Sequence, residues 1–329
     1  MTSSDPKYQH RKTGVIFVNF GSPESLDYFS IRRFLKHLLL DRRVVSLPRL
    51  IWLPILYGFI LPFRPLGLLK SYKAIWKGET SPLLHYQASL INQLKERCKE
   101  DIIIESAMIY SNPSLKTAWT SLKAQGVRDV VLFPMYPQYC SATTASVFDQ
   151  WQKLMVNEKF MPGLRFIHSY HDDPHYIKQI ADSIREHWKK VGKPDHIIFS
   201  YHGIPQRLFK QGDPYFCYCS KTTRLVAESL SLKLSDYTMS FQSRFGKEAW
   251  LKPYLSEVIK DKASQKCKII DVITPGFSID CIETLYEVGV EYQEEAAEKG
   301  SVLRVIPCLN DHIYSVDMYR SILKKLKII

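Results

Sequence analysis

FVNFGSP, residues 17–23, and FSYHGIP, residues 199–205, share Phe, Gly and Pro at identical spacing. Each closes an apolar run with a turn, so each reads as the end of a buried strand. The echo continues further along the chain. LRFI (164–167) and LRVI (303–306) match at an offset of 139 residues, Asp172 and Asp311 follow at that offset, and Val130-Val131 meets Ile269-Ile270. Eight short runs read as strands: 15–20, 102–109, 130–135, 165–169, 196–201, 237–242, 269–274 and 303–307. They alternate with longer helical patterns, the signature of parallel sheets covered by helices, and they fall into two sets of four. The prediction is a duplicated, doubly wound α/β half, the first copy enlarged by an insertion.

The length of 329 residues suits two ordinary cores at roughly 150 residues each. Lys plus Arg outnumber Asp plus Glu by 45 to 33, and the net charge of +12 favours an anionic partner. The basic residues are dispersed, which argues against nucleic acid. The first dozen residues lack the apolar core of a signal peptide, so a cytoplasmic location is expected. Seven scattered cysteines agree with free thiols; Cys217 and Cys219, the closest pair, lack the converging partners that an iron–sulfur cluster needs. No stretch reaches the roughly 18 to 20 apolar residues of a membrane span. Residues 47–61 come nearest, broken by Pro48 and Pro54 and closed by Pro62. They read either as a buried helix or as an exposed lip that holds a flat apolar ligand or rests on a membrane surface.

In doubly wound sheets ligands bind beyond the carboxyl ends of the strands. The residues to weigh there are 19–23, 136–144, 201–205 and 275–283. No GxGxxG follows the first strand and no GxxxxGK[ST] occurs, so dinucleotide and P-loop chemistry lose their main supports. His202 follows an apolar run and precedes Gly203, a place from which an imidazole can move protons or ligate a metal. Asp280, Glu283, Glu287 and Glu291 are spaced three, four and four apart, within an arc of about 80° on an α-helix. Such a row is either a solvated face or a set of carboxylates lining the cleft as an acid relay for cations or protons.

SYHGIPQR (200–207), QSRFGKEAWL (242–251), PGFSIDCIETL (275–285) and YPQY (136–139), together and in this order, resemble the signatures of ferrochelatases. The likeness runs from about residue 14 to residue 309. It implies two similar Rossmann-like halves with a porphyrin cleft between them. The boundaries then fall at 1–170, with an apolar lip at about 46–85, and 171–329; the helix at about 171–190 and the C-terminal helix are candidates to cross over. The family function is insertion of Fe(II) into protoporphyrin IX with release of two protons, the terminal step of heme biosynthesis. By resemblance His202 and Glu283 are the catalytic and metal-handling pair, and Arg64, Tyr72, Ser81, Trp250 and Tyr139 are porphyrin contacts. The basic flank of the lip suits propionates or anionic lipid.

The departures carry information too. Cys281 stands where animal members have a second histidine, and Ile109 where they have an arginine. Cys140 is one position from the cluster cysteine of some relatives, and the chain stops at Ile329 without the cysteine-bearing extension of animal forms. The expectation is a short bacterial type with no resident cofactor and no cluster, whose partners are porphyrin, Fe(II) and a peripheral membrane surface. The rivals are a coproporphyrin ferrochelatase, a cobalt chelatase, and a non-catalytic two-domain tetrapyrrole binder.

Overall fold

The computed structural model describes residues 12–98, 101–246 and 248–329. The reading of the N-terminal segment rests on residues 1–11, and Lys247 belongs to the 242–251 motif; both lie outside the described residues.

All eight expected strands form, with ends displaced by at most three residues: β1 (Thr13–Asn19), β2 (Ile102–Met108), β3 (Asp129–Pro134), β4 (Gly163–Phe166), β5 (His196–His202), β6 (Tyr237–Gln242), β7 (Ile269–Ile273) and β8 (Val302–Ile306). They build two parallel sheets of identical order, β2-β1-β3-β4 and β6-β5-β7-β8. β1 and β5 are buried almost throughout, because helices cover both faces of each sheet.

One part of the predicted repeat slips by a residue. Val130 pairs with Leu164, whereas Leu303 pairs with Ile270 rather than Ile269. The structural equivalent of Val130 is therefore Ile270, and both are buried. A slip of one in a strand exchanges its two faces, so the registry of the pleat overrides the letter match. Beyond the last strand of each half the offset of 139 holds. Asp173 caps the helix Pro174–Val191, and His312 caps the helix Ile313–Lys325.

These two helices cross between the halves. Trp188, near the end of the first, donates to the buried carboxylate of Asp271 on β7 at 2.8 Å. Tyr319, on the second, packs its ring against Phe17 and Phe133 of the first sheet, at centroid distances of 5.2 and 5.4 Å.

Residues 49–75 form one helix of 27 residues rather than pieces ended by prolines. Pro54 lies inside it, a turn bonded i→i+5 follows at Leu56–Ile60, and Pro62 falls near the start of the run Leu61–Ile75. A wide turn absorbs the proline misfit, and a missing N–H costs little where a helical run begins. The helix is long and apolar enough to cross a membrane by length and composition, correcting the expectation drawn from the broken sequence, yet only 22% of its most apolar window is buried. Trp52, Leu56, Leu61 and Tyr72 pack on the first half. Leu50, Phe59 and Phe63, 92%, 69% and 66% exposed, do not. The lip is thus an exposed apolar helix held by one buried stripe.

Replacing Tyr319 removes a ring that both halves need. Tyr319→Ala is expected to lower the unfolding free energy by about 3–5 kcal/mol, read from urea midpoints; a loss under about 1 kcal/mol would show that the crossing helix contributes little to the junction.

Candidate active site

In each sheet the strand order reverses about the central pair, β1 and β3 or β5 and β7. Crevices open at such switch points. Here the two meet, and the segments after β1, β3, β5 and β7 line one cavity of about 280 Å³.

His202, the last residue of β5, lines this cavity. Its Nδ1 lies 2.7 Å from the carbonyl of Gly203. A carbonyl only accepts, so Nδ1 carries a proton; in the neutral imidazole Nε2 then keeps its lone pair. Gly203 leaves little room for a side chain. A Cβ there would lie 3.0 Å from the carbonyl of Gln242 and 3.1 Å from the Trp250 ring. Its sequence echo Gly21 is required by backbone shape, with φ at +102°.

Glu283 lines the same cavity and, like His202, comes from the second half, on the segment after β7. The segment before it is tied down at several points. Tyr176 Oη donates to Pro275 O at 2.6 Å, and Ser278 Oγ donates to Met135 O at 2.7 Å. Asp280 is buried and accepts from Asn310 Nδ2 at 2.6 Å and Thr284 Oγ1 at 2.8 Å. From Glu283 to Glu291 the helix is bonded i→i+5, not as the α-helix assumed from the spacing.

The four-carboxylate row is consequently not assembled along the cavity. Asp280 turns inward to its partners, and Glu291 is exposed. Glu287 is half-buried and accepts from the backbone N–H of Ser243 at 2.8 Å and from its hydroxyl. Ser243 adopts the left-handed region, with φ at 63°, in the arrangement that presents both groups to one carboxylate. Burial pushes the Glu287 carboxyl above its usual range; the Ser243 hydroxyl and the His202 charge oppose this, and the Glu283 charge adds to it.

Tyr72, Ser81 and Trp250 line the cavity as expected. The Ser81 oxygen also caps the helix Pro82–Glu96. Two expected contacts lie elsewhere. Arg64 is exposed on the lip, its guanidinium 5.3 Å from the ring centroid of Phe245, so it bridges the halves at the rim. Tyr139 stacks on His168 at 4.3 Å, while its neighbours Gln138 and Cys140 line the wall. Cys217 is exposed and Cys219 buried, two residues apart on one helix, so their thiols leave on different sides.

Sequence reasoning missed Arg43, Arg207 and Tyr136 on the wall. Arg207 closes a quoted motif and Tyr136 opens another, but neither motif says which way a side chain points. Tyr136 Oη and Trp250 Nε1 are buried and have no hydrogen-bond partner among the described residues. Unsatisfied polar atoms on a cavity wall suit a ligand that satisfies them. Burial holds the Tyr136 phenol well above its ordinary value, so it stays a donor. Burial, reinforced by the Glu283 charge, does the same to the thiol of Cys281, which keeps its proton at neutral pH.

Comparison with known proteins places this geometry in context. The family model Ferrochelatase matches residues 12–326. A ferrochelatase of Vibrio atlanticus (strain LGP32) is 44% identical over 310 residues, 94% of this chain and 96% of that protein. One of Aliivibrio fischeri (strain MJ11) is 42% identical over 314 residues, 95% and 97% respectively. Among solved structures, the sirohydrochlorin chelatase SirB from Bacillus subtilis subspecies spizizenii, in complex with cobalt, superposes with a TM-score of 0.57 at 10% identity, covering 95% of this chain and 94% of that one. At that identity the likeness speaks for the fold.

The raised carboxyl of Glu287 has a stability signature. The fold favours its protonated form, so its contribution is full below the unfolded value of 4.5 and is lost as pH rises through the folded value. Glu287→Gln, neutral throughout and still able to accept from Ser243, is expected to raise the urea midpoint at pH 7 and to lose that advantage below about pH 4.5. A lower midpoint at pH 7 would mean that the Ser243 bonds outweigh burial.

Proposed function

This chain belongs to the ferrochelatase family, whose enzymes insert a metal ion into a porphyrin, and from that premise we propose that it metallates protoporphyrin IX with Fe(II) through His202 and Glu283. The reaction exchanges two pyrrole N–H protons for one divalent cation. The observation that carries the reading is that an imidazole able to offer a free Nε2 and a carboxylate, both from the second half, line a single cavity whose other wall comes from the first. A lone pair of that kind suits acceptance of a pyrrole proton. Glu283 lines the same space, and a carboxylate there suits either the second proton or the arriving cation.

Asp280 and Glu287 act on this pair from behind. Asp280 fixes the turn that presents Glu283, and the two-point bond of Glu287 to Ser243 ties the helix of Glu283 to the end of β6. The apolar walls hold the macrocycle, Trp250 closes the side next to His202, 6.4 Å between ring centroids, and Tyr72 and Ser81 form the opposite wall. No resident cofactor enters the scheme.

The setting we propose is the cytoplasm, with the lip resting on a lipid surface. Leu50, Ile51, Phe59, Phe63 and Leu66 are exposed on one helix, with Arg64, Lys70 and Lys73 nearby, a pattern that suits an anionic bilayer. Seven free cysteines suit a reducing compartment.

The purified chain should form metalloporphyrin from protoporphyrin with Fe(II) or Zn(II), followed by absorbance. His202→Ala and Glu283→Gln are each expected to lower kcat by about 100-fold or more; full turnover by His202→Ala would remove the assignment. Leu50→Glu combined with Phe59→Glu should reduce sedimentation with phosphatidylglycerol vesicles by about tenfold or more. Unchanged sedimentation would detach the lip from that role.

A further inference from the structure

A second cavity, of about 290 Å³, opens between the helix Tyr28–Leu39 and the loop after β2. It shares Ser22 and Phe34 with the central cavity, and the proposed function uses none of its other residues. Its wall carries more donors than acceptors. The hydroxyl oxygen of Ser30, a residue only 3% exposed, accepts from the N–H groups of Glu24 and Ser25 at 3.0 and 3.1 Å. Ser111 Oγ accepts from the N–H of Ser22 at 3.2 Å. Each oxygen is engaged as an acceptor, and neither hydroxyl proton has an acceptor of its own among the described residues. The backbone N–H groups of Ser111 and Asn112 are likewise unbonded among the described residues. Arg33 and His37 stand one turn apart on the helix and line the same space. Arg33 acts on Asp27 through its charge but makes no hydrogen bond or ion pair among the described residues. His37 holds Nδ1 3.3 Å from the carbonyl of Tyr110, which leaves Nε2 open. The acid on this wall, Glu24, is already engaged: it accepts from the amide of Asn112 at 2.7 Å and ties the loop after β1 to the loop after β2.

We propose that this side cavity is a binding site for a phosphate group, held between Arg33, His37 and Ser30 on the helix and Ser111 and Asn112 on the loop. Surplus donors call for an occupant that only accepts, and the guanidinium calls for an anion. The donors come from two sides. A tetrahedral oxyanion presents oxygens to both at once, whereas a planar carboxylate with two oxygens serves fewer of them. A cation is disfavoured, because the single carboxylate is bonded to Asn112 and the other groups offer protons. Two sources of the group fit. The helix that carries Arg33 also holds the lip, through Tyr28 Oη, which lies 3.3 Å from Leu61 O and 3.2 Å from Pro62 O, so a lipid headgroup is one source and a soluble phosphate the other. The site draws on neither His202 nor Glu283, and it stands whether or not the chain metallates a porphyrin.

The probe is inorganic phosphate, titrated into the full chain at fixed ionic strength and followed by calorimetry. The native chain is expected to bind one equivalent with a Kd of about 1 mM or tighter. Arg33→Gln should weaken this about tenfold or more, and Arg33→Lys, which keeps the charge without the planar fork, should lose less. Arg33 is exposed, so these changes disturb no packing. Arg42→Gln removes a nearby exposed charge that does not line the cavity, and should leave the affinity unchanged. No saturable binding by the native chain, unaltered binding in Arg33→Gln, or equal losses in Arg33→Gln and Arg42→Gln would overturn the proposal. Sedimentation with phosphatidylglycerol vesicles separates the two sources. For a headgroup, Arg33→Gln and an excess of free phosphate each lower sedimentation; for a soluble phosphate, neither does. The Leu50→Glu and Phe59→Glu pair should leave the phosphate titration unchanged, so a failure of the lip assignment and a failure of this site are told apart.

Discussion

The ring of Tyr319, carried by a helix that follows the second sheet and buried against Phe17 and Phe133 of the first, is the contact on which the site depends. Tyr170 joins the same cluster and lies 3.3 Å from the hydroxyl of Ser278, which in turn donates to the carbonyl of Met135 at the end of β3. The sheets therefore cannot slide apart without separating aromatic surface and stranding buried hydroxyls. Each would cost a few kcal/mol. Ser278 lies five residues before Glu283, so the junction that fixes the halves also fixes Glu283, and His202 of the same half, relative to the first-half wall of the cavity.

Four acidic residues at helical spacing do four different things because their surroundings differ. Asp280 is buried and accepts hydrogen bonds from Asn310 and Thr284; it is an anchor. Glu287 is half-buried with two donors from one serine, too few to overcome its desolvation. Glu291 is exposed. Glu283, on the cavity wall, is left to act on a ligand. A uniform relay would need four equivalent environments, and the i→i+5 winding from Glu283 onward denies them a common geometry.

Much of this was legible before any coordinates. Strand periodicity and the FVNFGSP and FSYHGIP echo placed the eight strands and the His202 turn, since buried parallel strands leave a strong apolar signal and a strand end must carry a turn. The lip was misread at Pro54 because a local rule treats proline as a stop, while a wide turn downstream absorbed the misfit. The register slip at Val130 was invisible because two apolar residues in succession match equally well at either offset. Arg43 and Arg207 escaped notice for a different reason. They are remote in sequence and meet only because the halves close on each other, and no spacing rule within one element encodes such a meeting.

The same closure decides where charge meets an apolar wall in a chain whose net charge is +12. The dispersed positive charge draws an anion toward the molecule from any side, which sets approach and not orientation. Orientation needs charge at a fixed point on an otherwise apolar wall. Arg43 reaches the cavity from the first half and Arg207 from the second, each held by its own carboxylate, so the two meet only while the halves are docked. The aromatic junction thus governs two placements at once. It sets the first-half wall of Tyr72, Ser81 and Arg43 against the second-half wall that carries His202 and Glu283, and it brings the two guanidinium groups to one cavity.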